Sequence, residues 1–285
     1  MAASRILVAT DFDAASDAAL EGAAQLAVSL GGPVHLLYVL EALMYGSAEM
    51  AGLADRDPKL HVAATKRVEA AVAALKSRGV SRVTSSIEYG IAVDVIAKHA
   101  IASEHDLLVV GSHGRGTTVG DIIKRSAIPV MAVPADTPHA KGSKDGARAF
   151  RHLLVPTDFE DSAEHALDLA MTLASKFKAK LTLVHAERPP ANKQGSRQSS
   201  VEFEINAQTA LDAAVAKAKK SCPDVNAVLV IGPRWERILE VATKSGADLI
   251  VMGTHGREGL SRVLLGSVAE RVVQMSKVPV LTVSA

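Results

Sequence analysis

The 285-residue sequence predicts an α/β fold: two tandem open parallel five-stranded sheets, each with helices on both faces. Three observations lead there. The chain repeats itself, with ILVATDF at 6 to 12 returning as LLVPTDF at 153 to 159, and HDLLVVGSHGR at 105 to 115 returning as ADLIVMGTHGR at 247 to 257. IPVMAV at 128 to 133 likewise returns as VPVLTV at 278 to 283, and 21 positions separate Gly90 from Gly111 as they do Gly232 from Gly253. Within each half, short apolar runs alternate with helical patterns, which implies parallel strands joined by right-handed crossovers. Aromatic residues make up 3% of the chain while Ala, Val and Leu dominate, a composition suited to helices on a buried parallel sheet.

The repeat divides the chain into modules at 1 to 137 and 150 to 285, with a polar, Gly- and Pro-containing linker at 138 to 149. In the second module the apolar runs place strands at 152 to 157, 180 to 185, 226 to 231, 248 to 252 and 278 to 283. Helices are expected near 161 to 177, 201 to 220, 234 to 245 and 266 to 276. The first of these opens with Asp161 and Glu164 at capping-box spacing. Its Ala166, Leu169, Ala170, Leu173 and Ala174 recur at three and four, giving one buried stripe. The segments 41 to 57 and 187 to 200 read as loops, candidates for lids or partner contacts.

Bulk properties narrow the function. A hydrophobic fraction of 48% with 22% charged residues describes a globular protein rather than a disordered one. A net charge of +1 leaves no electrostatic footprint for nucleic acid or an anionic membrane. No apolar run approaches the ~20 residues of a membrane span, and the N-terminus lacks a signal-peptide apolar segment. The lone cysteine, Cys222, excludes an intrachain disulfide and reads as a small apolar residue near a helix end. A cytoplasmic, soluble protein is expected.

In a doubly wound sheet, ligands bind beyond the carboxyl ends of the strands, where the strand order reverses. The loops starting at Asp158 and Gly253 leave from such ends. Gly253 and Gly256 permit a sharp turn and close approach of a ligand. Gly266 and Ser267 then open a helix whose free N–H groups and dipole favour an anion. Arg257 and Arg262 are placed to add charge-assisted contacts. The pattern is not a P-loop, since no GxxxxGK[ST] occurs, and no GxSxG nucleophile elbow appears.

Gly253, Gly256 and Gly266-Ser267 together match G-x2-G-x9-G-[ST], and the chain thereby resembles the universal stress protein family. PTD at 156 to 158, the LxH-type strand LTLVHAE and the closing VPVLTV are similar to that family too, and the resemblance covers both halves. It implies an adenine nucleotide alpha hydrolase-like, Rossmann-like fold. In ATP-binding members the adenine lies against backbone near the first two strands and the phosphates lie in the glycine turn. By position, the resemblance implicates Pro156, Thr157, Asp158, Ala186, Met252, Gly253, His255, Gly256, Arg257, Gly266, Ser267 and Val268 in ATP binding. Asp158 is then expected to face the ribose or a nucleotide-bound Mg²⁺. A helix cap is its structural alternative.

The first half departs from this signature. Gly114 to Pro129 takes 15 steps against 23 from Gly256 to Pro279, so eight residues are missing, and Gly120-Asp121 stands where Gly266-Ser267 is sought. An aspartate there would repel phosphate. Asp11, Val39, Gly111, His113, Gly114 and Arg115 survive, which leaves room for an adenosine-sized ligand but not a triphosphate. His61, His99, His105 and His113 fall in different elements without ligand spacing, so no zinc centre is expected. Trp235 reads as a packing residue.

The function expected is that of a nucleotide-dependent stress-response regulator, not a fast enzyme. A slow ATP hydrolase and a scaffold that binds no nucleotide are the alternatives. ATP pyrophosphatases would show an SGGxDS loop after the first strand, where this chain has ATDFDAAS and PTDFEDSA. Single-module members of the family are similar to dimers paired through the last strand. IPVMAV and VPVLTV are therefore expected to make an intramolecular pseudo-dimer, with a further homodimer as an added option.

Overall fold

The computed structural model describes residues 4–41, 58–102, 105–113, 117–137, 150–187, 197–254 and 265–284, with backbone alone at 58, 117 and 197–203. The chain divides into two compact units, Met1–Ala149 and Phe150–Ala285. In the first, β1 (Ile6–Thr10), α1 (Ala14–Leu30), β2 (Val34–Glu41), α2 (Pro58–Ser77) and β3 (Val83–Gly90) lead to α3 (Ala92–Ile101), β4 (Leu107–Ser112), α4 (Thr117–Arg125) and β5 (Val130–Pro134). The second repeats this as β6 (His152–Pro156), α5 (Asp161–Phe177), β7 (Lys180–Glu187), α6 (Arg197–Lys219), β8 (Val225–Ile231), α7 (Arg234–Ser245), β9 (Leu249–Gly253), α8 (Ser267–Met275) and β10 (Val280–Val283).

All strand pairs within a unit are parallel, in the order β3-β2-β1-β4-β5 and, equivalently, β8-β7-β6-β9-β10. The central strands are buried apolar runs, as covering both faces requires. Helices α1 and α2 pack together, and α3 packs with α4; in the second unit α7 packs with α8. On the other face, Lys217 of α6 reaches Glu164 and Asp168 of α5, both at 2.7 Å.

The repeated Asp-Leu before β4 and β9 has a clear role. The Asp106 carboxylate accepts the Arg5 N–H (2.8 Å), and Asp248 accepts those of Arg151 and His152 (2.8 and 3.0 Å). These carboxylates supply partners at the start of the neighbouring strand, where the ladder has none.

Three expectations change. The capping box at Asp161 does not form: Glu160 is the cap, Asp161 is already helical, and Glu164 turns its carboxylate to Lys217. Leu167 replaces Leu169 in the buried stripe, because the helix also covers β9 and β10 and so buries a wider face. Helix α6 starts at Arg197, so 187 to 200 is not all loop, while 42–57 and 188–196 lie outside the described residues. Cys222 is buried, its Sγ 3.5 Å from the Met171 carbonyl, and burial pushes its thiol pKa up. None of the described helices is long and apolar enough to cross a membrane.

Candidate functional site

The strand order reverses between β1 and β4 in one unit and between β6 and β9 in the other, opening a crevice at the carboxyl ends of each pair. In the second unit, the loop after β6 is built by its own polar groups. Thr157 donates its N–H to Val184 O (2.9 Å), and its Oγ1 accepts from Phe159 N (3.0 Å). That bond holds Phe159 at φ 67°, a left-handed conformation that a bulky residue rarely adopts. Phe12 in the first unit does the same at φ 65°, its N–H donating to Thr10 Oγ1 at 2.9 Å. The repeated Thr-Asp-Phe thus encodes a strained turn, of the kind found at ligand sites. The Asp158 carboxylate is half-buried in it and accepts from Glu160 N (3.3 Å).

Strand β7 outruns β6. The last β6–β7 partners are Pro156 and Val184, yet β7 continues against β8 to Glu187. Backbone groups alternate sides along a strand. Val184 O serves Thr157 on the β6 side and Glu187 O serves Gly232 on the β8 side (2.8 Å). Ala186 therefore directs its N–H and C=O to the side where β6 has ended. Beside it, buried His185 donates Nδ1–H to Thr157 O (2.7 Å), and its Nε2 meets Glu187 Oε2 (3.1 Å). Arg234 donates to Glu187 Oε1 (3.3 Å), and the Phe159 ring lies 4.7 Å from His185. This polar link holds the Asp158 loop to β7 and α7. The sequence reading took Ala186 from this strand but gave no role to His185 and Glu187; two polar residues in an apolar run were the available signal.

Gly253 has a structural reason that the sequence reading did not foresee. A Cβ there would stand 2.7 Å from the backbone carbon of Ser162, because β9 packs directly on the first turn of α5. Gly111 repeats this, 2.6 Å from Ser16 N. Its lack of a side chain therefore serves packing in both units and does not distinguish a binding unit. Gly266 caps α8 at φ −61°, open to any residue, and its N–H donates to Thr254 O at 2.7 Å. The two sides of the glycine turn are thereby fastened together. Pro156, Thr157 and Met252 are buried, Ser267 is the exposed first residue of α8 and Val268 is half-buried. His255, Gly256, Arg257 and Arg262 lie outside the described residues.

The first unit corrects the alignment of its turn. Helix α4 runs Thr117–Arg125 and α8 runs Ser267–Met275, each boundary 150 positions apart. Gly116-Thr117 is therefore the counterpart of Gly266-Ser267, while Gly120 and Asp121 lie inside α4. Asp121 faces Lys124 (3.3 Å) rather than a ligand at the helix start, so the repulsion expected of it does not apply. The eight missing residues come wholly from the loop, which takes two steps from Gly114 to Gly116 against ten from Gly256 to Gly266.

Asp11, Asp13 and His113 converge at the ends of β1 and β4, one ligand-type atom from each lying within 4.8 Å of the others. His113 Nε2 contacts Asp13 Oδ2. Asp11 Oδ1 accepts from Ser16 Oγ (2.7 Å) and Asp13 N (3.0 Å), and Asp13 Oδ1 accepts from Ser16 N (2.8 Å) as the cap of α1. Burial disfavours charge on Asp13, but the Ser16 N–H and the His113 ring outweigh it and hold the carboxyl below its ordinary range. The histidines alone, in different elements and without ligand spacing, give no metal cluster; the adjacency of β1 and β4 brings His113 to the two aspartates.

Against known proteins, the family model described as Universal stress protein family matches residues 3–134 and again 149–284. A universal stress protein of Methanocaldococcus jannaschii is 33% identical over 147 residues, 49% of this chain and 85% of the relative. One of Bacillus subtilis is 31% identical over 146 residues, 47% of this chain and 99% of the relative. Among solved structures, a universal stress protein from Archaeoglobus fulgidus aligns with TM-score 0.71 at 18% identity, over 100% of this chain and 99% of that one. At that identity the likeness speaks to the fold. Two matches of one family model account for nearly all of the sequence, and the chain belongs to the Universal stress protein family as a tandem of two such modules.

Proposed function

We propose that the second module binds ATP and acts as a nucleotide-dependent regulator in a stress response. The observation that carries this reading is the Ala186 backbone, whose N–H and C=O are directed into the crevice beyond β6. That pair matches the acceptor and amino donor on one edge of adenine. On the other wall, α8 begins with Ser267, and its first N–H groups have no helical partner, which suits phosphate oxygens. Asp158, in the loop after β6, would hold the ribose or the Mg²⁺ that accompanies the nucleotide; the metal would neutralise phosphate charge there. The first module keeps the base side, since β2 runs on to Glu41 past the last β1 partner at Tyr38, but its phosphate loop is eight residues shorter.

Calorimetric titration of the full chain with MgATP tests the reading. One site per chain is expected, and Gly266→Val, which adds bulk beside the phosphates without straining the backbone, should abolish it. Two equivalent sites, or full affinity in the variant, would overturn it. Turnover far below the ~1–100 s⁻¹ of kinases belongs to the same proposal. So does the pairing of the two last strands, argued from their sequence, which cysteines introduced by Met131→Cys and Leu281→Cys should report as an intrachain crosslink.

A further inference from the structure

We propose that Asp11, Asp13 and His113 of the first module form a binding site for Zn²⁺ that works without nucleotide. The site offers one imidazole nitrogen and two carboxylates, with their ligand-type atoms within 4.8 Å of one another. Three protein ligands with positions left over for water are the pattern of an open zinc site. A nitrogen among the donors favours a borderline ion such as Zn²⁺ over Mg²⁺ or Ca²⁺, which prefer all-oxygen sets.

The ligands are held before any ion arrives. Ser16 is the hub: its hydroxyl holds Asp11 Oδ1 and its N–H holds Asp13 Oδ1, while Asp13 Oδ2 is turned to His113 Nε2, the contact that a cation would enter. Hydrogen bonds of this outer kind orient ligating groups and tune their affinity. Asp11 follows the rigid end of β1, Asp13 caps α1 and His113 directly follows β4, so none depends on a remote segment. The His113 side chain is 57% exposed, which gives the ion a path in. With a neutral imidazole the trio carries two negative charges, which a dication balances. The module with the shortened phosphate loop would thus sense a metal where its partner module binds nucleotide.

Titration of the nucleotide-free full chain with CoCl₂, followed by its visible ligand-field absorption and by ZnCl₂ competition, tests this. One equivalent of Co²⁺ should bind and be displaced by Zn²⁺ but not by MgCl₂ at the same concentration. His113→Ala should abolish the spectrum. Asp13→Asn should do so as well while preserving the helix cap, since asparagine caps equally well. Ser16→Ala, which removes the hydroxyl holding Asp11, should weaken binding about tenfold. His99→Ala, at the helix α3 histidine paired with Glu88, should change nothing. No spectrum in the wild-type chain, displacement by Mg²⁺, survival of the spectrum in His113→Ala, or its loss in His99→Ala would each overturn the assignment. Far-ultraviolet circular dichroism of each variant separates lost binding from lost fold.

Discussion

Helices α4 and α8 each have nine residues and end in the same serine turn, with Ser126 Oγ donating to Ile128 O and Ser276 Oγ to Val278 O, both at 2.7 Å. The loops that lead into them differ by eight residues. Strand order, helix register and the strained Thr-Asp-Phe turn are shared by the two modules, so the fold does not depend on the loop. On the reading proposed above, what the loop adds is a ligand surface. Conversely, the polar residues around the turn differ: Phe12 packs edge-on against Tyr38 under Arg67, whereas Phe159 lies on His185, which is tied to Glu187. One scaffold presents two different side-chain settings at equivalent crevices.

The largest effect should come from making the second module resemble the first. Deleting residues 257 to 264 gives Gly256-Leu265-Gly266 the spacing of Gly114-Arg115-Gly116. Calorimetry should then find no MgATP binding in a chain that melts normally. Retained affinity would break the contrast between the modules.

A second test separates packing glycines from ligand glycines. Gly253→Ala and Gly111→Ala each drive a methyl into the backbone of a neighbouring helix and should destabilise by about 1–3 kcal/mol without any ligand present. Denaturant melts measure this. If Gly253→Ala weakened only nucleotide binding and left stability intact, the packing explanation would fail.

The smallest effect is a pH dependence confined to one module. At the start of β6, buried His152 places Nδ1 3.0 Å from Ser245 O and Nε2 2.7 Å from Thr182 Oγ1, where the first module has exposed Arg5. Burial, with Lys180 nearby, pushes the His152 pKa below the ordinary 6.5. The unfolded chain then takes up the proton more readily than the folded one. Stability of the second module should be fully present above about pH 6.5 and decline as the pH falls through that value towards the lowered one. Trp235, the chain's single tryptophan, lies in that module and gives a fluorescence readout. His152→Gln should flatten the slope relative to wild type.

Much of this was legible in the sequence because it follows from periodicity. The expected helices at 161 to 177 and 234 to 245 match α5 and α7, and the strands fall within one or two residues of their observed ends. Other features escaped because they arise only from tertiary adjacency. Gly253 looks like a ligand glycine until β9 is seen to lie on Ser162. Phenylalanine has no preference for a left-handed backbone, so nothing at position 159 announces its turn. Gly120-Asp121 mimicked Gly-Ser at a shortened spacing, and only the boundaries of α4 moved the true counterpart to Gly116-Thr117.

The hydrogen bond from Gly266 N to Thr254 O also bears on how these modules diverge. It joins the two ends of the glycine turn, and the entropy of closing a loop between such ends grows only slowly with its length. Closing it over four steps, as from Ser112 to Gly116, instead of the twelve from Thr254 to Gly266 changes that entropy by about 1 kcal/mol, in favour of the shorter form. Insertions and deletions there thus cost folding little, while on the proposed reading they decide phosphate binding. A duplicated module can lose its ligand in a single deletion and keep its structure, free to acquire another use.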